Sequence, residues 1–397
     1  MKNGDKFISF AVAFQVIIQG CKNILVQGFP MFYNINNQLN MIVMGVSLLM
    51  YFIALFYFKK HRTPKQTIHI LLFVTLTYGF TYVFFPGNYV FIQSTILRTL
   101  ISCFFTFLLV SRLRTFEYLN TYFTQGSYFI TICGFLYALI ISAVGHNATS
   151  EWSTYSMTMS NVLLLSVIWQ LNKFITTKDF YALIASLLGC IIIFLYGSRN
   201  PFLAIITFVS ISILFSSNQL NNKSYKLLRW VFIITGIVCY FNLKAIINCI
   251  ATILESFGLN SRTLYYLINA ETEDFSTGRN DIHDQLWNIV FDNSFFGLGV
   301  AGDEATINEL AHNLYLSVFI TYGIFMGACV LMYLIYLTIR GLKKAEGLDY
   351  RIIFMYFCIV FPRSFTGGDI WANDNLWFFL GLVISFLYNR KYKEKYY

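Results

Sequence analysis

The chain has 397 residues, of which 57% are hydrophobic and only 12% charged, and its mean hydropathy is +0.61. A water-facing surface carries about a quarter of its residues as Asp, Glu, Lys and Arg, so this composition excludes a soluble cytosolic enzyme, a secreted disulfide scaffold and a disordered chain. An integral membrane protein remains, and the 42 Phe and 27 Tyr suit acyl chains and the headgroup boundary.

A helix crosses the hydrocarbon core with about 20 mostly apolar residues. Segments of that kind fall near 7–24, 39–58, 66–86, 88–111, 127–145 and 157–175, then near 180–196, 200–217, 230–249, 312–339, 350–363 and 375–389. The sequence therefore predicts an all-α polytopic membrane protein with about 12 transmembrane helices, although 180–196, 350–363 and 375–389 are short. The first segment follows Lys2 and Lys6 without an A-x-A cleavage site, which reads as an uncleaved first span.

The connecting loops alternate in charge. One set holds Lys59-Lys60-His61-Arg62, Arg112 with Arg114, Lys173 with Lys178, Lys223 to Arg229, Arg340 to Lys344 with Arg351, and the tail from Arg390. Basic excess marks the cytoplasmic side, so both termini are expected inside. On the opposite side one connection is long. Residues 250–311 form a large extracytoplasmic loop within a single membrane-embedded domain, 1–397. Inside that loop Ser276-Thr277-Gly278 is placed to cap a helix from Arg279 to Phe291. Ile282, Leu286, Trp287, Val290 and Phe291 give it one apolar face, as in a helix lying at the bilayer interface. Asn293 to Gly302, with three glycines, reads as a turn-rich return to the membrane.

The eight cysteines include no C-x-x-C pair and read as small buried hydrophobes, not a metal site or disulfide framework. No phosphate-cradling G-x-x-x-x-G-K-[ST] loop is present, which argues against a built-in ATPase. The net charge of +9 is no pointer to nucleic acid, because its distribution matters more than its sum. No internal repeat is visible.

Three groups of polar residues share one expected membrane depth on the outer side. Arg199 follows Gly197-Ser198, Arg279 opens the loop helix, and His312-Asn313 opens the tenth span. Two guanidiniums at an interface suit a diphosphate, since each presents a fork of donors and stays charged. The structural alternatives are a headgroup anchor for Arg199 and a solvated helix face for Arg279. His312, read as lying in the first turn of a helix, meets the positive end of the macrodipole and is expected to be neutral, as a general base requires. The alternative is an interfacial histidine satisfied by water or a carbonyl. Arg98, inside the fourth span, is a candidate third phosphate ligand; Arg363 and Asp369 are expected to pair with each other.

The combination of Gly197-Ser198-Arg199, Thr277-Gly278-Arg279 with Trp287, Gly297-Leu298-Gly299, Ala311-His312-Asn313-Leu314-Tyr315-Leu316 and Gly323 resembles the O-antigen polymerase and ligase superfamily of bacterial envelope polysaccharide synthesis. The resemblance implies a metal-independent, cofactor-free glycosyltransferase of the bacterial plasma membrane, working on undecaprenyl-diphosphate-linked oligosaccharides at the extracytoplasmic face. It implies that Arg199 and Arg279 bind the donor diphosphate, that His312 activates the acceptor hydroxyl with inversion, and that Ser198, Asn313, Arg98 and Arg363 support them. A chain-length regulator and a flippase are the expected protein partners, alongside membrane lipids. Asn200-Pro201 departs from the small polar residue more usual after the arginine. Within the superfamily a polymerase is favoured over a ligase on abundance. A flippase or transporter of the same lipid-linked sugars is the alternative of another class, disfavoured because polar groups gather at one face with no repeat.

Overall fold

In the computed structural model, residues 2–28, 32, 35–57, 63–144, 157–196, 198–214, 223–256, 265, 268–269, 279–293 and 295–389 are described. The described residues form helices joined by turns and contain no strand. In order they are α1 (Lys2–Gly28), α2 (Asn36–Tyr57), α3 (Lys65–Phe84), α4 (Pro86–Ser111), α5 (Glu117–Val144), α6 (Met157–Thr177), α7 (Phe180–Leu195), α8 (Arg199–Leu214), α9 (Lys223–Phe241), α10 (Leu243–Ser256), α11 (Arg279–Asp292), α12 (Gly302–Ile307), α13 (Leu314–Lys344), α14 (Gly347–Thr366) and α15 (Asp374–Ile384). The described part of each apolar segment falls on a helix, except that 230–249 is divided between α9 and α10 at Asn242. The cap at 276–278, Gly197, the basic run 59–62 and the tail from 390 lie outside the described residues.

Among the described residues, 4 helices are long and apolar enough to cross a bilayer by length and composition: Asn36–Phe56, Lys65–Phe84, Pro86–Ser111 and Leu314–Lys344. Their surfaces match an apolar solvent. Met41 is 74% exposed, Val83 69% and Leu76 63%. Large apolar side chains left uncovered in this density are stable only against lipid or another apolar partner.

The described chain groups into two compact units, one of residues 1–22, 34–126 and 278–397, the other of residues 23–33 and 127–277. The first is organised around α15, whose residues Leu376 to Ile384 are all buried. A helix apolar on every side belongs at the centre of a bundle. Gly381 lets α4 approach it closely, since a Cβ there would meet Val110 Cβ at 2.9 Å and the Phe107 carbonyl oxygen at 3.2 Å. Trp377 packs edge-on to Phe104 and Phe107, and Tyr356 of α14 stacks on Phe378 at 4.2 Å. In the second unit α6 lies against α7, with Val167 in the gap over Gly189, and Gln170 donates to Thr131 Oγ1 at 3.0 Å.

Helix α13 is broken near its start. Gly323 adopts φ 74, ψ 177, a conformation open only to glycine at low energy. The carbonyls released there are taken by an incoming strap: Leu298 N–H donates to Ile320 O at 2.7 Å and Gly299 N–H to Thr321 O at 3.1 Å. The strap is held from behind by Asn88, whose Nδ2 donates to the carbonyls of Leu298 and Val300, both at 2.8 Å, and by Thr81 Oγ1, which accepts from Val300 N–H. Non-helical backbone within a membrane helix survives only where protein groups satisfy it, and Leu298 and Gly299 supply them.

Candidate active site

The first unit brings the start of α11, the α12–α13 junction and the turn between α14 and α15 to the same place. Arg279, the first residue of α11, donates from Nη1 to the Thr366 carbonyl oxygen at 2.6 Å. Helix α11 is held by Leu286 and Val290, which are buried against Ala311, Leu316 and Ile320 of the α13 region, with Ile282 and Ile289 packed beside them. Trp287 is 37% exposed but its ring meets Phe319 of α13 at 5.7 Å, so of the expected apolar face only Phe291, 64% exposed, is left outside the contact. The helix is docked on α13 rather than lying alone on an interface.

His312 does not belong to the first turn of a helix, as the sequence suggests. Asn313 is the cap of α13, its Oδ1 accepting from Tyr315 N–H at 3.0 Å and Leu316 N–H at 3.2 Å. His312 stands one residue earlier with φ 48, in a left-handed region that non-glycine residues rarely adopt and His visits more than most. Its imidazole is half-buried. Burial, followed by the positive charge of Arg279, holds its pKa below the usual histidine value against the opposing carboxylates of Glu309 and Asp303. Burial and a neighbouring guanidinium both favour the neutral imidazole, while the first-turn position expected from sequence is not what the structure has. Asn313, a candidate supporting residue, has its side-chain oxygen engaged as the cap.

Acidic groups complete the cluster. Asp303, 6% exposed, accepts from Ala311 N–H at 2.8 Å through Oδ2; burial raises its pKa. Asp369 does not pair with Arg363. It accepts the Ser317 hydroxyl at 2.5 Å, while Arg363 reaches Asp374 Oδ1 at 3.7 Å and donates from Nε to Gly367 O. The residue keeps some surface exposure, yet its carboxyl is enclosed. Burial and the nearby Asp303 push its pKa up to about 7, against the bond from Ser317. At neutral pH it is poised between carboxyl and carboxylate.

Arg199 and Ser198 lie in the other unit. Arg199 begins α8, half-buried, and Ser198 before it is buried. Pro201 falls within the first turn of α8, where an absent N–H leaves no bond unmade, so Asn200-Pro201 is compatible with a regular helix start. Arg98 is on an exposed part of α4, and its charge bears on Lys22 and Cys103. His283, Asp303 and Ser317 were not among the residues singled out from sequence. The one available signal was for His283, which follows Arg279 by one helical turn and so shares its side of α11.

Below the cluster a cavity of about 310 Å³ runs along α13, lined by Phe73, Tyr322, Met326, Tyr333 and Trp371 among others. Trp371 ties it to the polar turn, donating from Nε1 to Thr321 Oγ1 at 3.2 Å.

In this membrane protein, helical throughout its described part, a histidine of lowered pKa, an arginine and two buried carboxyls gather at one end of a broken helix. Residues 184–332 match the family described as O-antigen ligase, a stretch that contains Arg199, Arg279, Asp303 and His312. The match supports the resemblance of this stretch to the O-antigen polymerase and ligase superfamily. No curated protein matches the chain.

Proposed function

We propose that this protein polymerises undecaprenyl-diphosphate-linked oligosaccharide repeat units into a surface polysaccharide at the extracytoplasmic face of the bacterial plasma membrane. The observation that carries the reading is the neighbourhood of Arg279 and a neutral His312 inside the region matching the O-antigen ligase family. Twelve spans with both termini inside, the arrangement favoured by the basic loops, put this cluster outside, and the whole chain then acts as one membrane-embedded domain.

In the reaction, an acceptor sugar hydroxyl attacks the anomeric carbon of the donor. The bond from that carbon to the acceptor oxygen forms as the bond to the diphosphate oxygen breaks, with inversion. The hydroxyl proton passes to the His312 imidazole. The electron pair leaves with undecaprenyl diphosphate; in this reading Arg279 stabilises its growing charge, and Arg199 is assigned the same role by the resemblance alone. Ser198, Arg98 and Arg363 are the supporting cations and donors of this reading. The apolar cavity along α13 offers the isoprenoid tail a path that begins beside the polar turn.

The break in α13 is the feature that would suit a transporter. Its carbonyls, however, are closed by the strap at 298–300, so they are not offered to a translocated solute. Ligation to a lipid acceptor remains the second reading, since the same residues would serve it.

The test uses purified full-length protein in detergent with lipid-diphosphate repeat units, a setting with no bilayer and no gradient. A polymer ladder is expected, and His312→Ala should slow it by about 10²–10⁴-fold while single units persist. A wild-type ladder from His312→Ala would remove His312 as the base. Product only on addition of a lipid acceptor would identify a ligase, and no product under either condition would favour transport.

A further inference from the structure

The residue just before His312 is gripped through both its backbone N–H and its carbonyl by side chains from two different elements. Ala311, fully buried, gives its N–H to Asp303 Oδ2 at 2.8 Å. Its carbonyl oxygen lies 2.9 Å from His283 Nε2. A carbonyl only accepts, so Nε2 of His283 must carry the proton, which fixes the tautomer. The backbone that follows enters the left-handed conformation of His312, φ 48, and goes straight into the α13 cap. Such a conformation persists only where its surroundings over-determine it, and the Asp303–Ala311–His283 clamp is what determines it here.

We propose that His283 and Asp303 are positioning residues for His312, and that His283 makes the docking of α11 and the aim of the base a single event. The inference rests on the reading of His312 as the general base. His283 follows Arg279 by one turn, on the same side of α11. The helix that offers a guanidinium to the departing diphosphate therefore also sets, through Ala311, the backbone from which the imidazole reaches the acceptor. An α11 that is undocked presents neither.

The experiment measures kcat and KM for polymerisation of lipid-diphosphate repeat units by purified protein. His283→Leu, which cannot donate, should lower kcat at least about tenfold with KM changed by less than about twofold, the signature of a loss confined to the transition state. His283→Gln, whose amide nitrogen reaches the imidazole Nε2 position, should recover kcat to within about threefold, whereas the shorter His283→Asn should not. Asp303→Asn keeps an accepting oxygen and should retain more kcat than Asp303→Ala, which should resemble His283→Leu. In a His312→Ala background, His283→Leu should subtract nothing further, because residues acting through one another are non-additive. Unchanged kcat in His283→Leu, equal rates for the Gln and Asn variants, or additive losses with His312→Ala would each overturn the clamp. If His283→Leu does not accumulate, the Gln and Asn comparison decides alone. A fully active His312→Ala would overturn the catalytic reading instead, a separate outcome.

Discussion

At the scale of single residues, the site is a set of titrations that depend on one another. Burial and Arg279 hold the His312 pKa below the ordinary histidine value, which is about 6.5. Activity that needs the neutral imidazole should be full above that pH and fall on the acid side as His312 gains its proton. Glu309, exposed and acting on His312 only through its charge, favours the protonated form. Glu309→Gln should therefore move the acid limb of kcat against pH to lower pH, leaving the plateau unchanged. A limb moved upward would contradict that placement. Asp369 behaves oppositely in stability. Its folded pKa is about 7 against about 3.9 in an unfolded chain, so folding takes up a proton between those values and stability declines as pH rises through them. Asp369→Asn keeps the uncharged state and the Ser317 bond. Its melting temperature in detergent should change less between pH 5 and pH 8 than the parent's, and an identical slope would show that Asp369 titrates normally. Arg279 and His312 were legible in the sequence because each opens a recognisable apolar or amphipathic run. Asp303 and His283 were not, because their partners are the backbone N–H and C=O of one alanine, and no pattern of side chains records a backbone partner. The expected Arg363–Asp369 pair failed because the turn at 367–373 sends Asp369 inward to Ser317 and leaves Asp374 beside the arginine.

At the scale of elements, hydrophobic runs located the helices well, but the register of α11 and the break in α13 depend on tertiary contact. Phe291 counts as apolar in any periodicity, yet the face that docks on α13 passes through Leu286, Ile289 and Val290, with Trp287 against Phe319. Gly323 gave no sign of a break, since glycine is common inside membrane helices; only the strap at 298–300 explains why its backbone departs from the helix. Gly297, with φ +64, starts that strap, and a Cβ there would lie 2.4 Å from Gly323 N and 2.5 Å from Ile320 O. Gly297→Ala should destabilise the protein by about 1–3 kcal/mol, read as a lower melting temperature. Gly45→Ala, where a Cβ meets nothing within 4 Å, is the matched control and should melt like the parent. Equal melting of the two variants would remove the strap from the account of α13.

At the scale of the whole molecule, composition alone led to a helical membrane protein, because a charged fraction of 12% leaves no aqueous surface to build. The grouping of residues into two compact units was not legible, as it depends on contact between distant segments and has no marker in local pattern. The proposed topology makes a direct prediction. In a cysteine-free background, Glu309→Cys should react in intact cells with a membrane-impermeant maleimide, and Lys344→Cys, at the far end of α13, should react only after lysis. Both sites are exposed. The reverse pattern would place the His312 cluster in the cytoplasm and end the proposal of a lipid-linked donor supplied from outside.

The strap across the Gly323 break has a mechanical consequence. The head of α13, from Leu314 to Tyr322, is fastened through Ile320 and Thr321 to a loop that is itself anchored on Thr81 and Asn88. The longer shaft below must tilt or bend whenever the surrounding lipid thickens or thins. With the head tethered sideways to its loop, such movement of the shaft is absorbed at the glycine, and the imidazole keeps its aim in bilayers of differing depth.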